Sequence, residues 1–89
     1  MYKYSPKILG SRIRAERNKY KMTQEELSDM IREICSVSGG RGIGRNSLSK
    51  LENGDSDVRV TLDAFDAMCE IFMCEAGYLL GDSDTPMSE

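Results

Sequence analysis

The chain has 89 residues, of which 39% are hydrophobic and 30% charged, and its formal net charge is −3. This length supports one domain with a modest core, and the composition is ordinary for a globular protein. No apolar run approaches the roughly 18 residues that a membrane span needs, and no signal peptide is visible, so we expect a cytoplasmic protein.

The cysteine and histidine content limits metal and redox chemistry. The chain has three cysteines and no histidine. An odd number of cysteines argues against a disulfide framework, and a four-ligand zinc site lacks its ligands. We therefore predict that Cys35, Cys69 and Cys74 are buried or half-buried thiols that act as small hydrophobic side chains, and we expect no metal and no cofactor.

The charges are unevenly distributed along the chain. All 12 Lys and Arg residues lie within residues 1–59, together with 8 Asp and Glu residues, whereas residues 60–89 hold 7 acidic side chains and no basic one. A basic face in the first part is therefore compatible with anion binding, while the acidic end points elsewhere.

Ser5-Pro6 is the start signal of the first predicted helix, because serine caps helices and proline fits the first helical position. Leu9 and Ile13 recur four residues apart, and the stem of Arg17 continues the same side. We expect this helix to end near residue 20.

The second predicted helix begins with a capping box, in which Thr23 caps and Glu26 bonds back to the Thr23 amide. It is predicted to run to about Cys35, with an apolar side formed by Leu27, Met30, Ile31 and Ile34. We expect Gln24 to be exposed in the first turn, where its amide and the free backbone N–H groups suit a phosphate oxygen.

Residues 36–44 form a connector with four glycines. A nucleotide-binding loop is disfavoured, because the connector lacks the Gly-Lys-Ser/Thr ending and the Gly-x-Gly-x-x-Gly spacing. We interpret it as a mobile loop, in which Arg41 is a cation beside bound nucleic acid.

A short third helix is predicted over residues 45–53, with Gly44 as its N-cap and Gly54 after its end. Leu48 and Leu51 share the side that docks on the protein. The opposite side carries groups that suit base edges and phosphates, namely those of Arg45, Asn46, Ser49, Lys50 and Asn53.

Two further helices complete the pattern. Thr61 caps the fourth, whose apolar side is a core stripe rather than a cofactor site and contains Leu62, Phe65, Met68, Cys69, Ile71 and Phe72. The fifth is predicted from Glu75 to Leu80 and ends at Gly81. With no strand pattern, we predict an all-α bundle of five short helices as one domain over residues 1–81, followed by a polar, disordered tail at 82–89.

Three segments together resemble the Cro/CI-type (XRE-like) helix-turn-helix family of phage repressors and small bacterial regulators. They are Thr-Gln-Glu-Glu-Leu at 23–27, Leu-Ser-Lys-Leu-Glu-Asn-Gly at 48–54 and Tyr-Leu-Leu-Gly at 78–81. The resemblance covers about residues 7–81. It implies a lambda-repressor-like fold and a homodimeric transcriptional regulator that binds specific double-stranded DNA, with the second helix on the backbone and the third in the major groove.

The resemblance also implies roles for single residues. The base-contacting candidates are Arg45, Asn46, Ser49 and Lys50, and the residues expected to hold phosphates are Thr23, Gln24 and Asn53. Arg17 and Glu52 are expected to form an ion pair that ties the first helix to the third.

Two features depart from the family pattern. The usual turn between the second and third helices has about four residues, whereas here the stretch from Arg32 to Gly44 extends the second helix and adds about ten residues. The loop after Gly54, often basic in the family, holds Asp55 and Asp57, and only Arg59 is positive. We expect either modest DNA affinity or a different backbone contact from this loop.

Other interpretations stay open. The net acidity, the aspartates and the glycine-rich connector also suit a protein-interaction module of the same fold, such as an antitoxin-like or inhibitor protein with weak or no DNA binding. An enzyme is disfavoured, because no serine or cysteine has a suitable base nearby. Tyr78, Leu79 and Leu80 are candidate dimer contacts, or they pack on the fourth helix of their own chain.

Overall fold

The computed structural model describes residues 6–55 and 57–81, and this part of the chain contains five helices and no strand. They are α1 (Pro6–Lys19), α2 (Gln24–Val37), α3 (Arg45–Glu52), α4 (Leu62–Phe72) and α5 (Ala76–Leu80). The predicted all-α class is confirmed. None of these helices has the length and hydropathy needed to cross a bilayer. The expected Ser5 cap and the tail at 82–89 lie outside the described residues.

The helix ends follow their local sequence signals. The Thr23 hydroxyl accepts a hydrogen bond from the Glu26 N–H at 3.0 Å, and the Glu26 carboxylate accepts one from the Thr23 N–H at 3.0 Å, which completes the predicted capping box. Thr61 caps α4 through its hydroxyl. Gly54 and Gly81 follow α3 and α5 with φ values of 81° and 89°, in the left-handed region that ends helices.

The buried face of α2 differs from the prediction. Its buried side chains are Leu27, Ser28, Ile31 and Cys35. Met30 is 39% exposed, so its assignment to the core was wrong. Ser28 is buried instead, because its hydroxyl donates a hydrogen bond of 2.7 Å to the Ile43 carbonyl, which offsets the cost of burying a polar group.

The connector between α2 and α3 is tied to the body of the protein. The Gly40 N–H donates to the Cys35 carbonyl at 2.8 Å, and Ile43 is 6% exposed within the core. Gly42 has φ 72°, and a Cβ added there would lie 2.9 Å from the Arg32 Cα. The interpretation as a plain mobile loop was therefore incomplete, since its second half is anchored.

One core lies between the helices, and every helix contributes a fully buried side chain. The largest of these are Leu9, Ile13, Leu27, Ile31, Leu48, Leu51, Met68, Phe72 and Leu79. Leu62 was wrongly assigned to this core, since it is 85% exposed at the start of α4. The buried face of α4 instead includes Ala64 and Ala67, whose small side chains allow close packing of this helix, and α4 packs against α2.

The α1 and α3 helices approach each other at Gly10. A Cβ added to Gly10 would lie 2.0 Å from the Leu51 carbonyl oxygen, well inside van der Waals contact. Only glycine at this position permits the backbone separation seen here. The pose of α3 on α1 therefore depends on the absence of a single side chain.

The Glu52 carboxylate forms the main polar contact between these helices, and its side chain is 0% exposed. Arg17 donates from Nε to Oε2 at 2.8 Å and from Nη2 to Oε1 at 2.9 Å, so the expected Arg17–Glu52 ion pair is present and bidentate. Gln24 Nε2 and Arg14 Nε also donate to Oε1, at 3.2 and 3.4 Å. One carboxylate thus connects α1, α2 and α3.

The protonation of Glu52 reflects these contacts. Burial raises the pKa of the Glu52 carboxyl, but the hydrogen bonds from Arg17, Gln24 and Arg14, with the charge of Arg17, outweigh burial. The net pKa of Glu52 therefore lies below its ordinary value of 4.5. The hydrogen bond with Glu52 correspondingly raises the pKa of Arg17.

A second buried carboxylate was not predicted. Glu16 is 4% exposed, and its Oε1 has no hydrogen-bond partner among the described residues; the Lys19 ammonium lies 3.9 Å away. The helical spacing explains the burial, because Glu16 follows the core residue Ile13 by three positions. A charged side chain by itself does not indicate burial.

We predict that Gly10→Ala destabilises the protein by about 3 kcal/mol, because the new methyl group overlaps the Leu51 carbonyl and forces α1 and α3 apart. Urea unfolding followed by circular dichroism measures the effect. Gly44→Ser is the control, since a Cβ at Gly44 meets open space and serine favours the N-cap position. A Gly10→Ala variant as stable as wild type would contradict the close approach of the two helices.

We predict that Glu52→Gln lowers the stability at neutral pH by about 3 kcal/mol, because it removes one partner of a buried ion pair. The pKa of Glu52 is depressed by folding, so its contribution is full above pH 4.5 and disappears as the pH falls through the folded-state pKa. Urea unfolding of both proteins between about pH 7 and about pH 3 should show their difference shrinking on the acid side. A difference that stays constant over this range would refute the charged pair.

Candidate nucleic-acid interface

The outer side of α3 is polar and accessible. Its buried side holds Leu48 and Leu51, both 0% exposed. On the other side, three side chains are exposed and one is half-buried, and we call this set the recognition face: Arg45, Asn46, Lys50 and the half-buried Ser49. With two leucines and Glu52 fixed in the protein, this eight-residue helix cannot rotate without breaking the core.

An open cleft of about 490 Å³ lies beside the recognition face, where α1 ends and α2 and α3 begin. Its lining includes Arg17, Lys21 and Arg45 as cations and Glu25 as one anion. The Glu26 N–H is capped by Thr23, but the N–H groups of Gln24 and Glu25 have no acceptor within the helix, and the positive end of the helix dipole lies there. We call this region the α2 cleft, and its chemistry suits an anion.

Gln24, at the start of α2, is half-buried rather than exposed as predicted. Its Nε2 donates to the Glu52 carboxylate at 3.2 Å. This bond holds the amide at the wall of the α2 cleft and leaves its second N–H for an external acceptor. The spacing of residues in the sequence does not reveal this contact, because Glu52 lies 28 residues away.

Asn53, the C-cap of α3, is exposed and has a partner on α1. Arg14 donates from Nη2 to the Asn53 Oδ1 at 2.8 Å. Because its oxygen is occupied, Asn53 presents the two N–H donors of its amide outward. Arg14 was not among the predicted site residues, although its position one helical turn before Arg17 places both guanidinium groups on Glu52.

The remaining predicted DNA-contacting residues lie on the two segments that flank α3. Arg41 is exposed on the connector before α3. Arg59 is exposed after α3, but it lines a different groove, whose other lining residues are apolar. Asp57 is exposed in the same segment, and Asp55 is half-buried with its N–H bonded to the Lys50 carbonyl at 3.0 Å.

The candidate dimer contacts in α5 lie largely against their own chain. Leu79 is 0% exposed in the core, so it offers no surface to a second copy. The Tyr78 ring lies 4.4 Å from the Arg12 guanidinium carbon, and Arg12 also donates to the Tyr78 carbonyl. Tyr78 and Leu80 are half-buried. α5 packs on α1 as well as on α4.

The three cysteines are free thiols, with Cys35 and Cys74 buried and Cys69 half-buried, as predicted. Burial is the main cause that raises the pKa of each thiol, in Cys74 to about 12. Such thiols are protonated at neutral pH and are poor nucleophiles. Within the described part of the chain, no group of three metal-ligating side chains comes together.

Comparison with known proteins shows the family to which the chain belongs. A helix-turn-helix family model matches residues 13–79, from within α1 to within α5, and so includes the α2 cap, the connector and the recognition face. No curated protein and no solved structure matches the chain significantly. The chain therefore belongs to the Cro/CI-type, XRE-like helix-turn-helix family of DNA-binding regulators.

Proposed function

We propose that this protein is a transcriptional regulator that binds a specific double-stranded DNA site as a homodimer, with α3 in the major groove. The observation that supports the proposal most directly is the recognition face, because four polar side chains project from a helix whose other side is fully buried. Because the backbone of such a helix is already ordered, binding costs no entropy for folding it.

The proposed base contacts come from α3. Arg45 suits a bidentate contact with guanine and Asn46 one with adenine, and each such pair discriminates by about 1–3 kcal/mol. Lys50 lies one turn further along the exposed side, and Ser49, which is half-buried, supplies a hydroxyl near its base. The first turn of α3 therefore carries the most specific contacts, as expected when the N-terminal part of a helix enters the groove.

The proposed phosphate contacts lie at the two ends of this face. The α2 cleft brings cations and the free N–H groups of α2 together, and there a phosphate would lie beside Thr23 and Gln24. At the other end, Asn53 offers N–H donors because Arg14 occupies its oxygen. Arg41 on the connector and Arg59 after α3, both exposed, are proposed as outer phosphate contacts.

A homodimer follows from the small number of base pairs that one recognition helix contacts, which is too few for useful specificity in a genome. The described part of the protein measures 29 × 29 × 27 Å. The centres of two copies side by side would thus lie about 29 Å apart, which is comparable to the ~34 Å between half-sites one turn of DNA apart.

A protein-interaction module is the second candidate, and a specific observation favours it. Glu25 lies in the α2 cleft among the cations, and Asp55 and Asp57 follow α3, so acidic groups interrupt the positive surface. A protein partner tolerates this mixture better than a phosphate backbone does. The two candidates differ in whether duplex DNA binds with an affinity that falls as salt rises.

We predict that selection from random duplex DNA enriches a sequence, and that Asn46→Ala and Lys50→Ala each weaken binding to it by about 1–3 kcal/mol. Fluorescence anisotropy over a salt series measures the affinity and its salt dependence. Both side chains are exposed, so circular dichroism and the unfolding midpoint should stay at wild-type values.

Lys19→Ala is the matched control for Lys50→Ala, because it removes the same charge from a lysine beside Glu16 and the Tyr20 ring. This variant should bind the selected DNA like wild type. If no sequence is enriched and the affinity for any duplex is independent of salt, the DNA-binding proposal fails and the protein-interaction module is favoured. If both variants bind normally, the recognition face is wrongly assigned.

A further inference from the structure

Two of the three cysteines lie together at the end of α4. Cys69 is in the last turn of the helix, and Cys74 follows it with four residues between them. Met73 has φ 53°, in the left-handed region, and turns the chain back toward the helix. The Cys74 N–H donates to the Cys69 carbonyl at 3.1 Å. With standard backbone dimensions, this bond keeps the two Cα atoms within about 7 Å of each other.

Both side chains at this turn are free thiols. Cys74 is buried and Cys69 is half-buried, so the pair is enclosed on one side and open to solvent on the other. Burial raises the pKa of both thiols, and the contact between the two thiols also affects the pKa of each. The turn therefore places two sulfur atoms next to each other at a point that an ion can reach from solvent.

The Glu16 carboxylate lies beside this pair. Besides burial and Cys69, the charge of Glu16 helps to raise the pKa of the Cys74 thiol. The Glu16 side chain is 6% exposed, and its Oε1 has no hydrogen-bond partner among the described residues. The Lys19 ammonium lies 3.9 Å from this oxygen but is largely exposed. A buried carboxylate with incomplete pairing is costly, so a cation beside it would offset part of that cost.

The number and type of the donor atoms decide which cation suits this place. Cysteine pairs that bind metals typically have two to four residues between them, and this pair has four. Zinc takes four ligands, whereas no group of three metal-ligating side chains comes together within the described residues. Thiolates are soft ligands that select Cu(I), and this d¹⁰ ion accepts two sulfur ligands in line.

We propose that Cys69 and Cys74 form a two-thiolate binding site for one soft monovalent cation, Cu(I), with the charge of Glu16 beside it. On binding, each thiol gives its proton to solvent and forms a bond from sulfur to the metal, and no electron is transferred. These two cysteines then act as ligands and not only as hydrophobic side chains, which revises the expectation of no metal. No residue of the site belongs to the recognition face or lines the α2 cleft, so the proposal is independent of DNA binding.

Titration of the full chain with Cu(I) in the absence of oxygen, against a coloured Cu(I) chelator, measures the affinity. Native mass spectrometry gives the stoichiometry, which should be one Cu(I) per chain. Cys69→Ala and Cys74→Ala should each weaken binding by about a hundredfold or more, because loss of a group that only supports a ligand already costs about 10–100-fold. Cys35→Ala is the matched control, since it removes a buried thiol of α2 and should bind Cu(I) like wild type. Zn(II) should not bind.

Glu16→Gln tests the electrostatic part of the site. Glutamine has nearly the same shape as glutamate but no charge, so the fold should be retained and Cu(I) should bind about tenfold more weakly. An unchanged affinity would contradict the role of Glu16.

Four outcomes overturn the two-thiolate site: a wild type that binds Cu(I) no more tightly than the Cys69→Ala variant, an equal loss in Cys35→Ala, Zn(II) binding as tight as that of Cu(I), or an ion shared between two copies of the chain. Circular dichroism checks the folding of each variant. Because Cys69 is half-buried, its variant tests the site even if Cys74→Ala does not fold. The cysteine variants that fold should bind the selected DNA like wild type, so failure of this site and failure of the DNA-binding function are distinguishable.

Discussion

The buried carboxylate of Glu52 is the interaction on which the rest of this structure depends. It accepts hydrogen bonds from side chains of α1 and α2, while Glu52 itself is the last residue of α3. A charge without solvent exposure is costly unless it is paired and fully hydrogen-bonded, and the bidentate contact with Arg17 meets that requirement. The same contact fixes the angle at which α3 packs against α1.

This polar contact also determines what the interface presents to a ligand. Gln24 uses an N–H on Glu52, and Arg14, which bonds Glu52, uses a second N–H on Asn53. The two amides at the ends of the recognition face are thereby held in place, and each keeps N–H groups for an external acceptor, one at Gln24 and two at Asn53. The ion pair is architectural, but its consequences reach the surface that we propose contacts DNA.

The sequence predicted the features that depend on local chemistry. The capping box at Thr23, the glycine after α3 and the buried pair Leu48 and Leu51 follow from residue type and helical spacing alone. The errors concern partners far along the chain. Met30 and Leu62 have apolar side chains, but they lie on faces that no other described helix covers. Gln24 bonds to Glu52 on α3, a contact that the spacing of residues in the sequence does not reveal.

The long connector shows the same limit of prediction from sequence, because its contacts depend on distant residues. Its glycines indicated a loop, yet the placement of Ile43 in the core and the hydrogen bond from Ser28 arise only when α2 and α3 have docked. A short turn would fix the angle between these helices by its own geometry. Here the core and the Glu52 network fix it, so the extended α2 and the connector change the path of the chain but leave α3 held on its buried side.

A net charge of −3 would oppose DNA binding if every charge acted at the interface, but electrostatic forces in salt have too short a range for that. At physiological salt the screening length is about 8 Å, whereas this molecule is 29 Å across. Charges on the far side are therefore largely screened from a bound phosphate, and the cations lining the α2 cleft act on it directly. The acidic helix is α4, which carries Asp63, Asp66 and Glu70 and packs mainly on α2, so its charges add to the total with little effect at the proposed interface. The local charge of the contact surface, rather than the sum over the chain, decides which partner this fold can bind.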